Sequence, residues 1–174
     1  TSHENIRLTT HASIGLIDLA LKKHGNIIYR ANPGNHDENV PSALGLALAI
    51  RYANEPRVTV EDTENHTWVF HKGQLFIATN HGHGQPPAKF APNLPTRYPD
   101  QFGKSRGWYY ISSHFHNRED VTVNGIRCIR LPALCAIDGH GAQLGFTDTA
   151  GMSAMVFDEA DGSMPVSLDI SFTV

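Results

Sequence analysis

Three short segments rich in histidine carry the residue types that could do chemistry in this chain. They are residues 33–37 (PGNHD), 80–84 (NHGHG) and 113–117 (SHFHN). The chain has 11 histidines in 174 residues, and an imidazole side chain binds transition metals or transfers protons near neutral pH. Amide oxygen and imidazole nitrogen together suit zinc, manganese or iron better than calcium or magnesium, which prefer oxygen ligands. The segments therefore predict a transition-metal site.

Each of these segments follows a short apolar run that is typical of a buried strand. The runs are residues 27–29 (IIY), 75–77 (LFI) and 108–111 (WYYI). Apolar residues at three-to-four spacing predict helices over residues 10–23 and 41–52. Loops at strand ends in layered α/β folds commonly hold functional residues. We therefore expect each histidine segment to lie in a loop at or just after the C-terminal end of a strand.

The second half of the chain is rich in predicted strands. Turns are indicated at Lys72-Gly73, Asn124-Gly125 and Asp161-Gly162, each between apolar runs. Residues 84–107 read as a long loop, with room for a short helix over residues 98–104. The pattern predicts an α/β fold, with α+β as the alternative: a layered sheet with flanking helices and a strand-rich C-terminal half. We expect residues 1–174 to form a single domain.

The composition is typical of a globular protein and excludes some functions. Apolar residues make up 40% of the chain and charged residues 18%. No run approaches the roughly 20 apolar residues that a membrane span needs, so we expect no membrane partner. The net charge of −3 argues against an extended nucleic-acid-binding face, although a catalytic groove can still be locally basic. The N-terminus lacks signal-peptide features. Cys128 and Cys135 are better explained as two reduced thiols than as a disulfide or a zinc-binding pair. We therefore expect a cytoplasmic protein.

The three segments resemble, in order, three of the five motifs of the calcineurin-like metallophosphoesterases. That family carries the blocks DxH, GDxx(D/E), GNH(D/E), a lone His often written HG or HGH, and GHxH. Residues 34–37 (GNHD) match the third block and residues 81–83 (HGH) the fourth. Residues 113–116 (SHFH) match the fifth, with Ser in place of Gly. The resemblance covers residues 10 to about 134 and extends to phage and bacterial phosphoesterases and DNA-repair nucleases.

The resemblance implies roles for individual residues. Asn35, His81 and His114 would bind one metal and His116 the other. His36 would be the catalytic residue that contacts the phosphate or protonates the leaving group, and Asp37 would orient it. The complete site would hold two divalent transition metals, manganese, zinc or iron, and would hydrolyse a phosphoester with a metal-bridging hydroxide. The substrate class is a phosphomonoester or phosphodiester, with DNA or a nucleotide among the options.

The first two blocks of the family are missing upstream of Asn35. The only acidic residues there are Glu4 and Asp18, and neither fits a DxH or GDxx(D/E) block. In the family those blocks supply most ligands of one metal and the carboxylate that bridges both. We therefore expect a C-terminal portion of a longer domain, with at most one well-held metal and weak or no activity on its own.

Two alternatives and two minor questions stay open. The chain could be a non-catalytic module with a phosphoesterase fold that binds metal weakly or serves as a scaffold. It could also be a cupin-like metal barrel, because residues 114–125 contain an HxH…E…G pattern. His83 either orients a ligand or substrate or only caps its loop. Residues 108–110 (WYY) could stack on bases, although packing in the sheet is the favoured interpretation.

Overall fold

The computed structural model describes residues 2–36, 39–61, 65–134 and 149–172. The chain divides into two compact units, Thr1–His66 and Thr67–Val174. The first unit holds one group of predicted site residues and the second unit holds the other.

The first unit is a βαβ arrangement preceded by a long helix. Its elements are α1 (Ser2–Ala20), β1 (Ile27–Tyr29), α2 (Asn39–Arg51) and β2 (Val58–Val60). Strands β1 and β2 pair in parallel, with Ile28 opposite Thr59, and α2 makes the crossover that parallel neighbours require. The strand predicted over residues 27–29 and the second helix are confirmed within two residues. Helix α1 starts eight residues earlier than predicted, because residues 2–9 contain no Gly or Pro to stop it.

The core of the first unit forms where α1 and α2 meet the strands. Its fully buried apolar side chains are Ile17, Leu44, Leu48 and Tyr52. The Tyr52 hydroxyl lies at the edge of this core and donates to Asp18 Oδ1 at 2.7 Å. Burial and this hydrogen bond raise the pKa of Tyr52 to about 12. Asp18 thus has a structural partner within the helix pair, in agreement with its exclusion from the metal-binding blocks.

The second unit is built on a five-stranded mixed sheet. Its strands are β3 (Trp68–Lys72), β4 (Leu75–Thr79), β5 (Gly107–Ser112), β6 (Glu119–Val123) and β7 (Ile126–Arg130), in the order β3-β4-β5-β7-β6. The three central strands, β4, β5 and β7, run parallel, and the two edge strands are antiparallel to their neighbours. Two of the three predicted turns, at Lys72-Gly73 and Asn124-Gly125, close hairpins of this sheet, and the third, at Asp161-Gly162, lies outside it. Asn124 and Gly125 have φ of 50° and 82°, the paired positive values of a tight two-residue hairpin turn.

The connection between β4 and β5 confirms the short helix expected over residues 98–104, but it is helical over more of its length than predicted. It contains α3 (Pro87–Phe90), a 3-10 turn (Ala91–Asn93), α4 (Leu94–Arg97) and α5 (Pro99–Gly103). A proline occupies one of the first two positions of each of these segments. Proline is favoured there because its fixed φ suits a helix start, but it also stops the preceding segment. The high proline content that suggested a loop therefore produces several short helices instead.

The helices cover one face of the sheet, and the C-terminal segment covers the other. On the helical side Phe76 and Tyr110 pack against Phe90 and Leu94. On the opposite side Leu75, Ile77 and Tyr109 pack against Phe157 and Met164, which lie between β8 (Gly151–Val156) and β9 (Val166–Ser171). Tyr109 and Tyr110 are 7% and 0% exposed. The interpretation of residues 108–110 as sheet packing is thus confirmed for both tyrosines, and they form no base-stacking surface.

This architecture confirms the predicted α/β class with a strand-rich C-terminal half. It contradicts the cupin-like alternative, because a cupin is an antiparallel double-sheet barrel and the central strands here are parallel and carry helices. Of the two cysteines, Cys128 is free and buried in the sheet, while Cys135 lies outside the described residues. Among the helices of the described part of the chain, none is long and apolar enough to cross a membrane.

Candidate metal site

Two of the three histidine segments meet at the carboxyl ends of the neighbouring parallel strands β4 and β5. The sheet hydrogen bonding continues past both strands. The amide of Asn80 donates to the carbonyl of Ile111 at 3.3 Å, and the amide of Ser113 donates to the carbonyl of His81 at 3.1 Å. Because parallel neighbours end at the same edge, this continuation brings His81 and His114 side by side.

The imidazoles of the second unit form a chain of three rings. His114 Nδ1 lies 3.1 Å from His81 Nε2, and His114 Nε2 lies 3.1 Å from His83 Nδ1. His114 is thus the central ring, and both neighbours meet it edge-on, with ring centroids 4.9 Å and 4.7 Å away. Each nitrogen pair needs one protonated and one bare nitrogen to form a hydrogen bond. A neutral imidazole carries its proton on one ring nitrogen, so each pair can form a hydrogen bond or, when both rings carry their protons on the other nitrogens, offer two bare nitrogens to a metal.

The first pair of nitrogens fits a transition metal in spacing. Two nitrogens bound to one tetrahedral zinc at 2.0–2.1 Å are about 3.4 Å apart, close to the 3.1 Å between His81 and His114. A third ligand is not in place, because no group of three His, Cys, Asp or Glu side chains in residues 2–36, 39–61, 65–134 and 149–172 is arranged to hold a metal. The donor chemistry and the spacing fit a pair of ligands and not a closed site.

The segment carrying His114 and His116 has an unusual backbone. These residues have φ of 69° and 56°, in the left-handed region that non-glycine residues seldom adopt, although histidine does so more often than most. Arg130 lies against the segment. It donates to Asn117 Oδ1 at 2.9 Å, pairs with Glu119 at 2.6 Å, and places its guanidinium 4.7 Å from the centre of the Phe115 ring. The exposed His116 therefore projects from a loop that side-chain contacts hold in place.

Gly82 allows the other loop to approach this segment closely. It has φ of 100°, and a Cβ added there would lie 3.2 Å from the carbonyl oxygen of Ser113 and 3.3 Å from the Ser112 side chain. Only glycine combines that φ with so close a neighbour. The glycine of the predicted HGH block thus has a specific role, which is to let His81 and His83 lie on either side of a tight turn beside His114.

The third histidine segment lies in the first unit, after β1. Pro33 and Gly34 are buried, Asn35 is half-buried and His36 is exposed, while Asp37 lies outside the described residues. The position directly after a parallel strand is the one predicted. That Asn35 shares a metal with the imidazoles of the second unit, and that His36 and Asp37 are catalytic, stay predictions.

Sequence reasoning missed three polar residues beneath the imidazole chain. Tyr110 is completely buried, Asn80 is 4% exposed, and Gln85 ends the loop that carries His81 and His83. The Tyr110 hydroxyl donates to Asn80 Oδ1 at 2.7 Å, and Asn80 Nδ2 donates to Gln85 Oε1 at 2.7 Å. The available signal was Asn80 itself, an amide that follows four buried apolar residues and Thr79, at a position where an unpaired polar group would be costly.

Comparisons with known proteins give a weak likeness of fold. No family model matches the sequence, and no curated protein matches it. Wild-type Vps29 from Entamoeba histolytica, crystallised with Zn²⁺, is 15% identical, with a TM-score of 0.44 over 92% of this chain and 89% of that one. A single mutant of the same protein is 17% identical, with a TM-score of 0.39 over 67% of each chain. Vps29 has a calcineurin-like metallophosphoesterase fold.

Proposed function

We propose that this chain supplies the C-terminal metal ligands of a dinuclear metallophosphoesterase site. The observation that supports the proposal most directly is the 3.1 Å separation of His81 Nε2 and His114 Nδ1, at the ends of adjacent parallel strands. These are two of the residues that the motif resemblance selects as ligands of one metal. Their motifs are 33 residues apart in sequence, so proximity in space is an independent agreement.

The remaining roles follow from the resemblance. In the proposal, Asn35 joins the two imidazoles on the first metal, and His116 binds the second. His36 contacts the phosphate or gives a proton to the leaving oxygen, and Asp37 orients its ring. The metals, which would be manganese, zinc or iron, would supply an activated water and stabilise the phosphoryl charge.

The sequence offers no carboxylate in a DxH or GDxx(D/E) block to bridge two metals. We therefore propose that the chain by itself holds one metal weakly and turns over slowly or not at all. The substrate in the complete site would be a phosphoester, and DNA or a nucleotide is compatible with a nuclease role. A cytoplasmic location belongs to the same proposal, since the buried Cys128 is a free thiol.

Metal binding by the full 174-residue chain tests the proposal. Titration with Co²⁺, followed by visible absorption and calorimetry, should reveal one weak site per chain. His114→Ala should weaken binding at least 10-fold, because it removes the central ring, whereas His24→Ala, which changes an exposed histidine of the first unit, should leave it unchanged. Two tight sites per chain, or binding that ignores His114, would contradict the proposal.

A non-catalytic module is the second candidate, and one observation favours it. The imidazoles of His81, His83 and His114 partner one another through hydrogen bonds, so their arrangement does not depend on a metal. Mn²⁺-dependent hydrolysis of bis(p-nitrophenyl) phosphate separates the candidates. Slow turnover that His36→Ala abolishes, or turnover in a longer product of the same gene only, supports the enzyme. Metal binding with turnover in neither product supports the module.

A further inference from the structure

The loop that carries His81 and His83 is attached at both ends to one buried phenol. Asn80 precedes the first histidine and Gln85 follows the second, so these two residues bracket the loop. Tyr110 lies on the neighbouring strand β5, opposite Ala78 of β4, and reaches past that position to the loop. Its ring is held between the sheet and the helices by Phe90, whose centroid lies 4.8 Å away.

The contacts of the phenol connect both ends of the loop. The Tyr110 hydroxyl lies 2.7 Å from Asn80 Oδ1 and 3.1 Å from the carbonyl oxygen of Gln85. The Asn80 amide then donates to the Gln85 side chain at 2.7 Å, which closes a ring of three hydrogen bonds. A hydroxyl with one proton facing two acceptors favours the nearer one, so the Asn80 contact is the stronger. Within this ring the backbone between Asn80 and Gln85 has little freedom to move.

Burial makes these hydrogen bonds depend on one another. Tyr110 and Asn80 are almost inaccessible to water, so water cannot replace a lost partner without opening the structure. Burial also raises the pKa of Tyr110 to about 12, and the phenol stays a neutral donor at physiological pH. Loss of the hydroxyl would leave Asn80 Oδ1 unsatisfied at the residue directly before His81. The backbone at the first imidazole would then shift or fluctuate.

We propose that Tyr110 is a positioning residue, which acts through Asn80 and Gln85 to hold the His81 ring against His114. For the metal-binding part of its effect, the proposal rests on the proposed function. Groups that orient metal ligands typically change metal affinity 10- to 100-fold when they are removed. Tyr110→Phe should therefore weaken Co²⁺ binding about 10-fold, at the lower end of that range, because the hydroxyl acts through an intervening amide.

Tyr109 provides a matched control on the same strand. It is also buried, at 7% exposed, and its hydroxyl donates to a backbone carbonyl, that of Gly162, at 2.9 Å. Its side chain packs on the opposite face of the sheet, with Phe157 and Met164. Tyr109→Phe thus removes a buried phenol hydrogen bond of the same kind without touching the loop, and should destabilise the fold about as much while leaving the imidazoles in place.

The experiment compares wild type, Tyr110→Phe and Tyr109→Phe in two measurements. Long-range ¹H–¹⁵N spectra of the metal-free chain report the protonation of the His81 and His114 ring nitrogens, assigned with His→Gln variants. Co²⁺ titration reports affinity. We expect Tyr110→Phe alone to change the His81 and His114 signals and to lower affinity about 10-fold. Equal effects of the two tyrosine variants, or no effect of Tyr110→Phe on either measurement, would overturn the proposal.

The two measurements also separate this proposal from the proposed function. If the wild-type chain binds no Co²⁺ but Tyr110→Phe still changes the imidazole signals, the proposed function fails and the positioning role stands. If Tyr110→Phe does not fold, Gln85→Ala replaces it, because that change removes only the outer contact with Asn80 at a half-buried position. Unchanged imidazole signals and affinity in Gln85→Ala would then count against the proposal.

Discussion

Replacing Arg130 with methionine should destabilise the second unit by about 2–3 kcal/mol. The change removes the ion pair with Glu119, the hydrogen bond to Asn117 and the contact with the Phe115 ring. A hydrogen bond that involves a charged group contributes about 1.5–3 kcal/mol to the free energy of unfolding. A cation–π contact contributes about 0.5–1 kcal/mol. The sum is reduced because methionine keeps much of the apolar packing, and because the Glu119 side chain is 36% exposed and can be hydrated in the variant.

The neighbouring Arg127 gives the comparison that tests this reasoning. It also lies on β7 and pairs with a carboxylate of β6, Asp120, at 2.7 Å, but the Arg127 side chain is 42% exposed against 12% for Arg130. Exposed pairs contribute about 0–1 kcal/mol, so Arg127→Met should cost about 1 kcal/mol or less. Urea denaturation at low salt and at 1 M NaCl measures both, and salt should weaken only the Arg127 pair. Equal losses for the two variants would refute the argument from burial.

Two further predictions concern the loop glycine and the buried thiol. Gly82→Ala should lower the free energy of unfolding by about 1–3 kcal/mol, measured by urea denaturation, because of its positive φ and the nearby Ser113 carbonyl. Gly84→Ala should cost less, since the space around Gly84 is open. A larger loss for Gly84→Ala would contradict the close approach of the loops at Gly82. Burial raises the pKa of Cys128 from 9.0 to about 11, so its folded state favours the neutral thiol. The thiol therefore adds to the free energy of unfolding fully below pH 9, and this stabilisation is lost as the pH rises from 9 to 11. In that range the free energy of unfolding of Cys128→Ala should depend less on pH than that of the wild type.

The elements of the fold were predictable because their apolar periodicity is local. The strand over residues 27–29 and the turn at Asn124-Gly125 were each fixed by a few adjacent residues, and the structure has both. Proline misled the prediction over residues 87–97, since the same residue type begins a helix and ends one, whereas the short helix expected over residues 98–104 is present. The predicted start of α1 was wrong because residues 2–9 lack the apolar repeat on which the prediction rested, yet contain no Gly or Pro to stop the helix.

The proximity of two candidate residues was predictable from the sequence, but the residues that support them were not. Motif order selected His81 and His114, and the structure brings them within hydrogen-bonding distance. Their supports, Tyr110 and Arg130, lie on β5 and β7, and nothing local in the sequence distinguishes them from ordinary sheet residues. Which side chain reaches a loop depends on strand order, here β4-β5-β7, and strand order is a long-range property that residue spacing does not contain.

The position of the backbone strain supports a functional interpretation of the two loops. Gly82, His114 and His116 all have positive φ, and the two histidines take on a conformation that costs roughly 1–3 kcal/mol per residue unless the surroundings hold it. Arg130, on β7, holds the loop of His114 and His116 through Asn117 and Phe115. Tyr110 holds the loop of Gly82 from the helical face of the sheet, through Asn80 and Gln85. A loop needed only to connect two strands would relax by substitution to glycine or asparagine at these positions. In this chain the strained backbone lies at two histidines, and polar contacts on two sides stabilise the loops. Such an arrangement is expected where the position of the imidazole rings matters for function.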